Sequence, residues 1–275
     1  MLSLAFSLPA FLRDFMQAAI LPISAGWFWI QEGYRLFRRQ PMPMFFWGMA
    51  TGLLITISYL IPLVGQLILI AITPILTFIT LCACRNIAAG KTMLMPMWLE
   101  PLKPAEVRRR LLRLGLTYMV CCLAAGFLAV LPFSSALTDV INAQGGIDPE
   151  ALSRVIRGPM LTFLLFYIVI SALFWHAPAL TGWHGLKLSQ ALFFSMVACW
   201  RNKWPFLVYG LSWGAIFFAA QFLASFLLSA GMSPATAQLL LTPVNILVTT
   251  LLYCSFYPTY ISVFGANYSI DDGVN

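Results

Sequence analysis

Along most of this chain the apolar residues come in long unbroken runs, not in stripes or alternation. A helix that crosses a bilayer needs about 20 predominantly apolar residues. Six stretches qualify: Met44–Leu60, Val64–Cys84, Leu112–Leu131, Pro159–Trp175, Pro205–Ser229 and Ala237–Val263. None holds an Asp, Glu, Lys or Arg away from its ends. In hydrocarbon every backbone N–H and C=O must be satisfied internally, so each run is predicted to be helical. The in–out alternation of a membrane β-barrel is absent. The expected fold is therefore an all-α integral membrane protein, with six transmembrane helices arranged as three tandem hairpins. It divides into an N-terminal segment 1–22, one transmembrane domain 23–268 and a tail 269–275.

Between the runs the pattern changes. From Gly26 to Arg39, at about 100° per residue, Leu36, Trp29, Phe37, Ile30, Tyr34 and Trp27 share one half of a helix. Arg38, Gln31, Arg35, Arg39 and Glu32 share the other half, with Phe28 the exception, and Pro41 stops the helix. Residues 25–40 thus read as a helix lying in the membrane interface. A second such segment, 183–204, ends in Arg201-Asn202-Lys203-Trp204-Pro205. A third, Ala105 to Arg113, is short and basic and runs directly into the third span. Each hairpin is thus preceded by a basic or amphipathic segment.

Charge sets the orientation. Lys and Arg total 16, and 14 of them fall before the first span, between the second and third, or between the fourth and fifth. Arg154 and Arg157 are the other two, in a loop that also holds Asp139, Asp148 and Glu150. By the positive-inside rule both chain ends are expected on the cytoplasmic side. Only 9% of the 275 residues are charged and 61% are hydrophobic, against about 25% charged in a soluble domain. A soluble enzyme or DNA-binding protein is excluded. The net charge of +7 sits where anionic lipid headgroups would meet it, so lipids are the expected partners and nucleic acid is not. Cys82, Cys84, Cys121, Cys122, Cys199 and Cys254 lie in spans or on the cytoplasmic side, which argues for packing rather than a disulfide framework. The first apolar run lacks a basic n-region, so it does not read as a signal peptide.

The chain also repeats itself. Pro74-Ile75-Leu76-Thr77-Phe78 is matched by Pro159-Met160-Leu161-Thr162-Phe163, and Thr73-Pro74-Ile75 by Thr242-Pro243-Val244. The prolines are 85 and 84 residues apart, each expected towards the outer end of a returning helix, with Pro159 opening the fourth. The matching strings favour a triplicated hairpin in parallel orientation, unlike the inverted repeats of many transporters.

At Gly26-Trp27-Phe28-Trp29-Ile30-Gln31-Glu32-Gly33-Tyr34-Arg35-Leu36-Phe37-Arg38-Arg39-Gln40-Pro41 the chain resembles an uncharacterised family of small proteobacterial inner-membrane proteins. The opening of that family reads roughly G-W-x-W-I-x-x-G-[FY]-x-L-F-R-R-x-P. Ala191-Leu192-Phe193-Phe194-Ser195, followed by Arg201-Asn202, is similar to its A-L-x-x-S segment before the last hairpin. That second segment also looks like the membrane domain attached to some bacterial glycerophosphodiester phosphodiesterases, though no catalytic domain follows here. The resemblance covers most of residues 16–265 and implies a bacterial cytoplasmic membrane without implying an activity. Residues 1–15 lie outside it, which makes Met16 an alternative start.

Chemistry is sparse. Hydrolysis needs paired carboxylates, or a nucleophile beside a base, and the nine acids form no such pair near a histidine. Asp148-Pro149-Glu150 reads as a helix start. His176 and His184 flank Pro178 and Gly182. Two ligands do not close a metal site, and Cys199 would have to join them. No catalytic residue, metal or cofactor is expected, and the protein is not expected to be an enzyme. The cationic groups Arg35, Arg38, Arg39, Arg108, Arg109, Arg110, Arg113, Arg201 and Lys203 are the candidate contacts for lipid headgroups or a protein partner. Asn245, Gln221, Thr73 and Thr77 are candidates for a polar site within the membrane. The function expected is a non-enzymatic, lipid- or partner-binding helical bundle of a bacterial inner membrane. The alternative is a carrier or channel for a neutral or amphipathic substrate such as a lipid.

Overall fold

The structure, a computed structural model, describes residues 18–142 and 148–265. Most of the N-terminal segment, with Arg13 and Met16, and the tail from 269 onwards lie outside the described residues. The elements are α1 (Ala25–Arg39), α2 (Pro41–Leu60), α3 (Val64–Ala88), α4 (Ala105–Val130), α5 (Ser134–Ile141), α6 (Pro149–Phe174), α7 (Ala177–His184), α8 (Leu188–Arg201), α9 (Lys203–Ser229) and α10 (Pro234–Phe264). Short 3₁₀ turns at Met95–Trp98 and Glu100–Leu102 lead into α4. There is no strand among the described residues. Six helices, α2, α3, α4, α6, α9 and α10, are long and apolar enough to cross a bilayer. The fold is an all-α integral membrane bundle of three hairpins: α2–α3, α4–α6 and α9–α10.

Local chemistry fixes the hairpin tips. In the first, Leu63 has φ 65° and the Val64 N–H donates to the Pro62 carbonyl at 2.8 Å, a γ-turn that reverses the chain in three residues. In the second, Asp148 caps α6 by accepting from the Glu150 N–H at 3.0 Å, with Pro149 in the first turn. The Asp-Pro-Glu start signal therefore belongs to the fourth span itself, which begins at Pro149 and not at Pro159. Arg154, Arg157 and Gly158 lower the hydropathy of this first stretch without breaking the helix. In the third, Ser233 caps α10 by accepting from the Thr236 N–H at 3.2 Å.

The prolines are interior in all three returning helices. Pro74 and Pro159 are each the eleventh residue of their helix and Pro243 is the tenth. The flanking threonines also behave alike. Thr73 and Thr242, each just before a proline, donate to the Leu69 and Gln238 carbonyls four residues back. Thr77 and Thr162, three residues after a proline, donate to Thr73 and Gly158, the residues that precede it. A shared register and shared hydroxyl bonds support the repeat more strongly than spacing alone.

The hairpins form an incomplete ring. α3 packs on α4, joining the first hairpin to the second, and α10 packs on α2 and α3, joining the third to the first. At Gly115, a Cβ would run into the Ala71 backbone carbonyl, so α3 and α4 touch backbone to backbone there. Between the second and third hairpins, α6 does not pack along α9 or α10 among the described residues. Leu164, Leu165 and Ile168 of α6 and Leu211, Phe218 and Phe222 of α9 are exposed. This seam of the ring is loosely packed, its two sides meeting where Trp175, at the end of α6, packs against Phe206, Tyr209 and Phe256.

The segments preceding the hairpins follow the same cyclic rule. The Met95–Trp98 turn seats on α3, α8 seats on α6, and α1 seats on α9 and α10. Each segment thus covers the hairpin that comes before its own in the ring. Two expectations change here. The stripe of α1 is covered by protein: Trp29, Gly33 and Leu36 are buried, while Trp27 and Tyr34 of the predicted apolar half are exposed. And residues 183–204 are not one helix. Gly185, at φ +63°, ends α7, with its own N–H and that of Leu186 both bonding the Leu180 carbonyl. A left-handed residue cannot continue a right-handed helix, and glycine adopts that conformation without steric cost.

Candidate functional site

Every described Lys and Arg except Arg154 and Arg157 lies at the end of the bundle where α1, α7 and α8 sit, which we term the basic face. Its framework is built from α1. Trp29 is fully buried and its indole N–H donates to Ser262 Oγ at 2.7 Å. At Gly33, an added Cβ would sit 2.7 Å from Ser255 Cα, so this glycine sets how closely α1 approaches α10. Below it Tyr209 and Ser255 exchange a hydroxyl hydrogen bond of 2.6 Å. At the end of α1, the Gln40 amide donates to the Lys91 carbonyl at 2.7 Å and its oxygen accepts from the Met93 N–H at 2.8 Å. That clasp holds the loop leaving α3.

Asn202 is the polar hub of the basic face. It is fully buried between α8 and α9. Its Oδ1 accepts from the Leu21 N–H at 2.9 Å, and its Nδ2 donates to the carbonyls of Ala19 at 2.9 Å and Ala198 at 3.0 Å. The Ala19 N–H in turn donates to the Val263 carbonyl. The chain before α1 is thereby fixed to the third hairpin.

An aromatic floor closes the bundle beneath. Trp175 packs against Phe206, Tyr209 and Phe256, and its indole N–H donates to Thr259 Oγ1 at 3.1 Å. His176 is buried among Phe206, Tyr260 and Phe264. Ser195 accepts the His176 backbone N–H and donates to the Ala172 carbonyl. His184 Nε2 lies 2.6 Å from the Tyr260 hydroxyl. The two histidines and Cys199 form no metal-binding cluster, and no group of three such ligands occurs among the described residues. Cys82 accepts from the Trp183 indole at 3.2 Å, and all six cysteines are free thiols.

The candidate cations have distinct positions. Arg35 pairs with Glu32, and Arg109 with Glu106 at 2.8 Å, both within one helix turn. Arg38 lies over the Tyr34 ring, and Arg39 donates to the Ala88 carbonyl at 3.4 Å. Arg108 donates to the Leu102 and Lys103 carbonyls, tying down the turn before α4. Lys203 lies over the Trp200 and Trp204 rings. Arg113 and Arg201 are exposed at the same end. Arg110 alone of the α4 cluster is half-buried, against Gly185. Arg85, not among the candidates, stacks on Trp183 with its guanidinium carbon 5.1 Å from the ring centroid. By sequence position it is one of the charges that follow the second span. Its contact comes from a residue about 100 positions away, which no local pattern announces.

The four polar candidates within the membrane are not gathered at one point. Thr73 and Thr77 lie on α3 and spend their hydroxyls on that helix. Gln221 on α9 and Asn245 on α10 are exposed.

A probable inner membrane protein of Burkholderia thailandensis is 33% identical to this chain over 258 residues, covering 91% of the chain and 94% of the relative. No protein-family model matches, and no solved structure matches. The likeness to the phosphodiesterase membrane domain therefore rests only on the residues quoted for it. With near full-length similarity and six membrane-capable helices, the chain belongs to the family of that probable inner membrane protein, as a multi-pass member.

Proposed function

We propose that this protein is a non-enzymatic inner-membrane bundle whose basic face, turned to the cytoplasm, holds anionic lipid headgroups. One observation carries the reading. The described acids of that face, Glu32, Glu100 and Glu106, each pair with a cation of their own helical turn, and Arg38, Arg39, Arg108, Arg113 and Lys203 form no ion pair among the described residues. Each such cation adds about 1 kcal/mol of attraction to an anionic leaflet. Replacing Arg35, Arg38 and Arg39 together by Glu tests this. The purified variant is expected to retain fewer phosphatidylglycerol molecules in native mass spectrometry than the wild type. Equal retention would refute the reading.

The loosely packed seam favours a second reading, lateral passage of a lipid between α6 and α9. Gln221 and Asn245 on the third hairpin would then contact a polar headgroup in transit. Reconstitution with fluorescent lipid analogues tests it: transbilayer exchange no faster than in protein-free vesicles would remove it.

A further inference from the structure

We propose that Arg85 and Arg110 form a discrete seat for one phosphate group, at the turn that joins α7 to α8. The two arginines come from α3 and α4, neighbouring helices that both pack on α7, and they converge on three consecutive residues. Arg85 stacks on the Trp183 ring and is close enough to His184 and Tyr257 to act on both electrostatically. Arg110 Nη1 lies 2.5 Å from the point where a side chain on Gly185 would begin. The glycine that ends α7 thus also makes room for a guanidinium.

Neither guanidinium has a hydrogen-bond acceptor or an acid partner among the described residues. The ion pairs there engage Arg35, Lys103 and Arg109, and neither Arg85 nor Arg110 makes a further bond. Nor does Arg110 cap α7, because the Leu180 carbonyl is already taken by the Gly185 and Leu186 N–H groups. Each guanidinium offers five N–H donors in a planar fork suited to phosphate oxygens. Arg110 is half-buried, so part of its hydration is lost with no acceptor among the described residues replacing it. A cation withdrawn from water in this way gains most from an anion that accepts several N–H groups at once. The stack on Trp183 holds Arg85 in place and limits the ordering that binding would otherwise require. The ligand is a phosphate mono- or diester, borne by a lipid headgroup or by a small soluble molecule. In its lipid form the proposal rests on the headgroup reading above.

The test uses the full chain purified in mild detergent. In native mass spectrometry the wild type is expected to bind a first phosphatidylglycerol at a concentration about tenfold below that for further copies, a spacing of one decade in affinity. R85Q and R110Q should each abolish that spacing. The triple variant R35Q, R38Q and R39Q should keep the first step and lose later ones. Inorganic phosphate is the second arm. A rise in melting temperature with phosphate, lost in R85Q, would assign the seat to the phosphate group by itself. No rise, with the lipid step intact, would assign it to a headgroup. A first step unchanged within twofold in both R85Q and R110Q would overturn the seat, while the triple variant would still judge the wider headgroup reading. Arg85 is exposed and bears no hydrogen bond among the described residues, so R85Q decides the matter if R110Q does not fold, with R110K as its charge-preserving companion.

Discussion

Replacing Asn202 by Ala removes three hydrogen bonds of 2.9–3.0 Å from a fully buried position. The consequences differ among the partners. The Ala198 carbonyl keeps the Asn202 backbone N–H, a helical bond of 3.1 Å. The Leu21 N–H and the Ala19 carbonyl lose their side-chain partners, and an unsatisfied buried group costs about 1–3 kcal/mol. The segment can relieve part of that cost by lifting into water, so a loss of about 2–4 kcal/mol of local docking stability is expected. At 1.4 kcal/mol per decade, amide exchange at residues 18–24 should accelerate by about 30-fold or more. Hydrogen–deuterium exchange on peptides covering that segment measures this directly. Peptides from α3 and α4, which Asn202 does not touch, should be unchanged. Exchange at 18–24 within twofold of the wild type would refute the hub.

Other substitutions probe other joints. Gly33→Ala places a methyl 2.7 Å from Ser255 Cα, and the overpacking should cost about 1–3 kcal/mol, read as a lower melting temperature in detergent. Leu63→Gly should stabilise by about 1 kcal/mol, since φ 65° is unfavourable for a side chain and free for glycine; a lower melting temperature would contradict the γ-turn. Trp47→Phe removes the indole bond to Thr80 Oγ1 at 2.8 Å but keeps an aromatic ring against Trp98, so a loss near 1 kcal/mol is expected. Cysteines introduced at residue 91 and at residue 139 should label from opposite sides of sealed inner-membrane vesicles. Labelling from one side would contradict the single crossing, by α4, that separates them.

Much of this architecture is legible in the sequence, because hydrocarbon imposes a length and an apolarity that no other environment requires. The six spans follow from those two quantities. The stripe of α1 is equally plain, but its destination is not. A wheel shows that Trp29 and Leu36 share a face, whereas the surface that covers Trp29 comes from Phe206, Tyr209 and Ser262, which are 177 to 233 positions later. The start of α6 was obscured for another reason. Arg154 and Arg157 made its first turns look like loop, although Asp148-Pro149-Glu150 carried the right signal. Among the cations, spacing treats Arg108, Arg109, Arg110 and Arg113 alike. Arg110 is set apart only by Gly185, whose conformation depends on how α7 ends. Asn202 likewise looks like one more polar residue in a basic string until the fold places Leu21 beside it.

The seating of α1 has a consequence for biogenesis. Its docking surface on α9 and α10 is synthesised only after both earlier hairpins, long after α1. Until α9 and α10 are made, Trp29 and Gly33 lack the surface they dock against. A chain that stops after the second hairpin leaves that stripe uncovered. A product that carries the third hairpin therefore differs from one that lacks it at α1, where a quality-control protease could tell them apart.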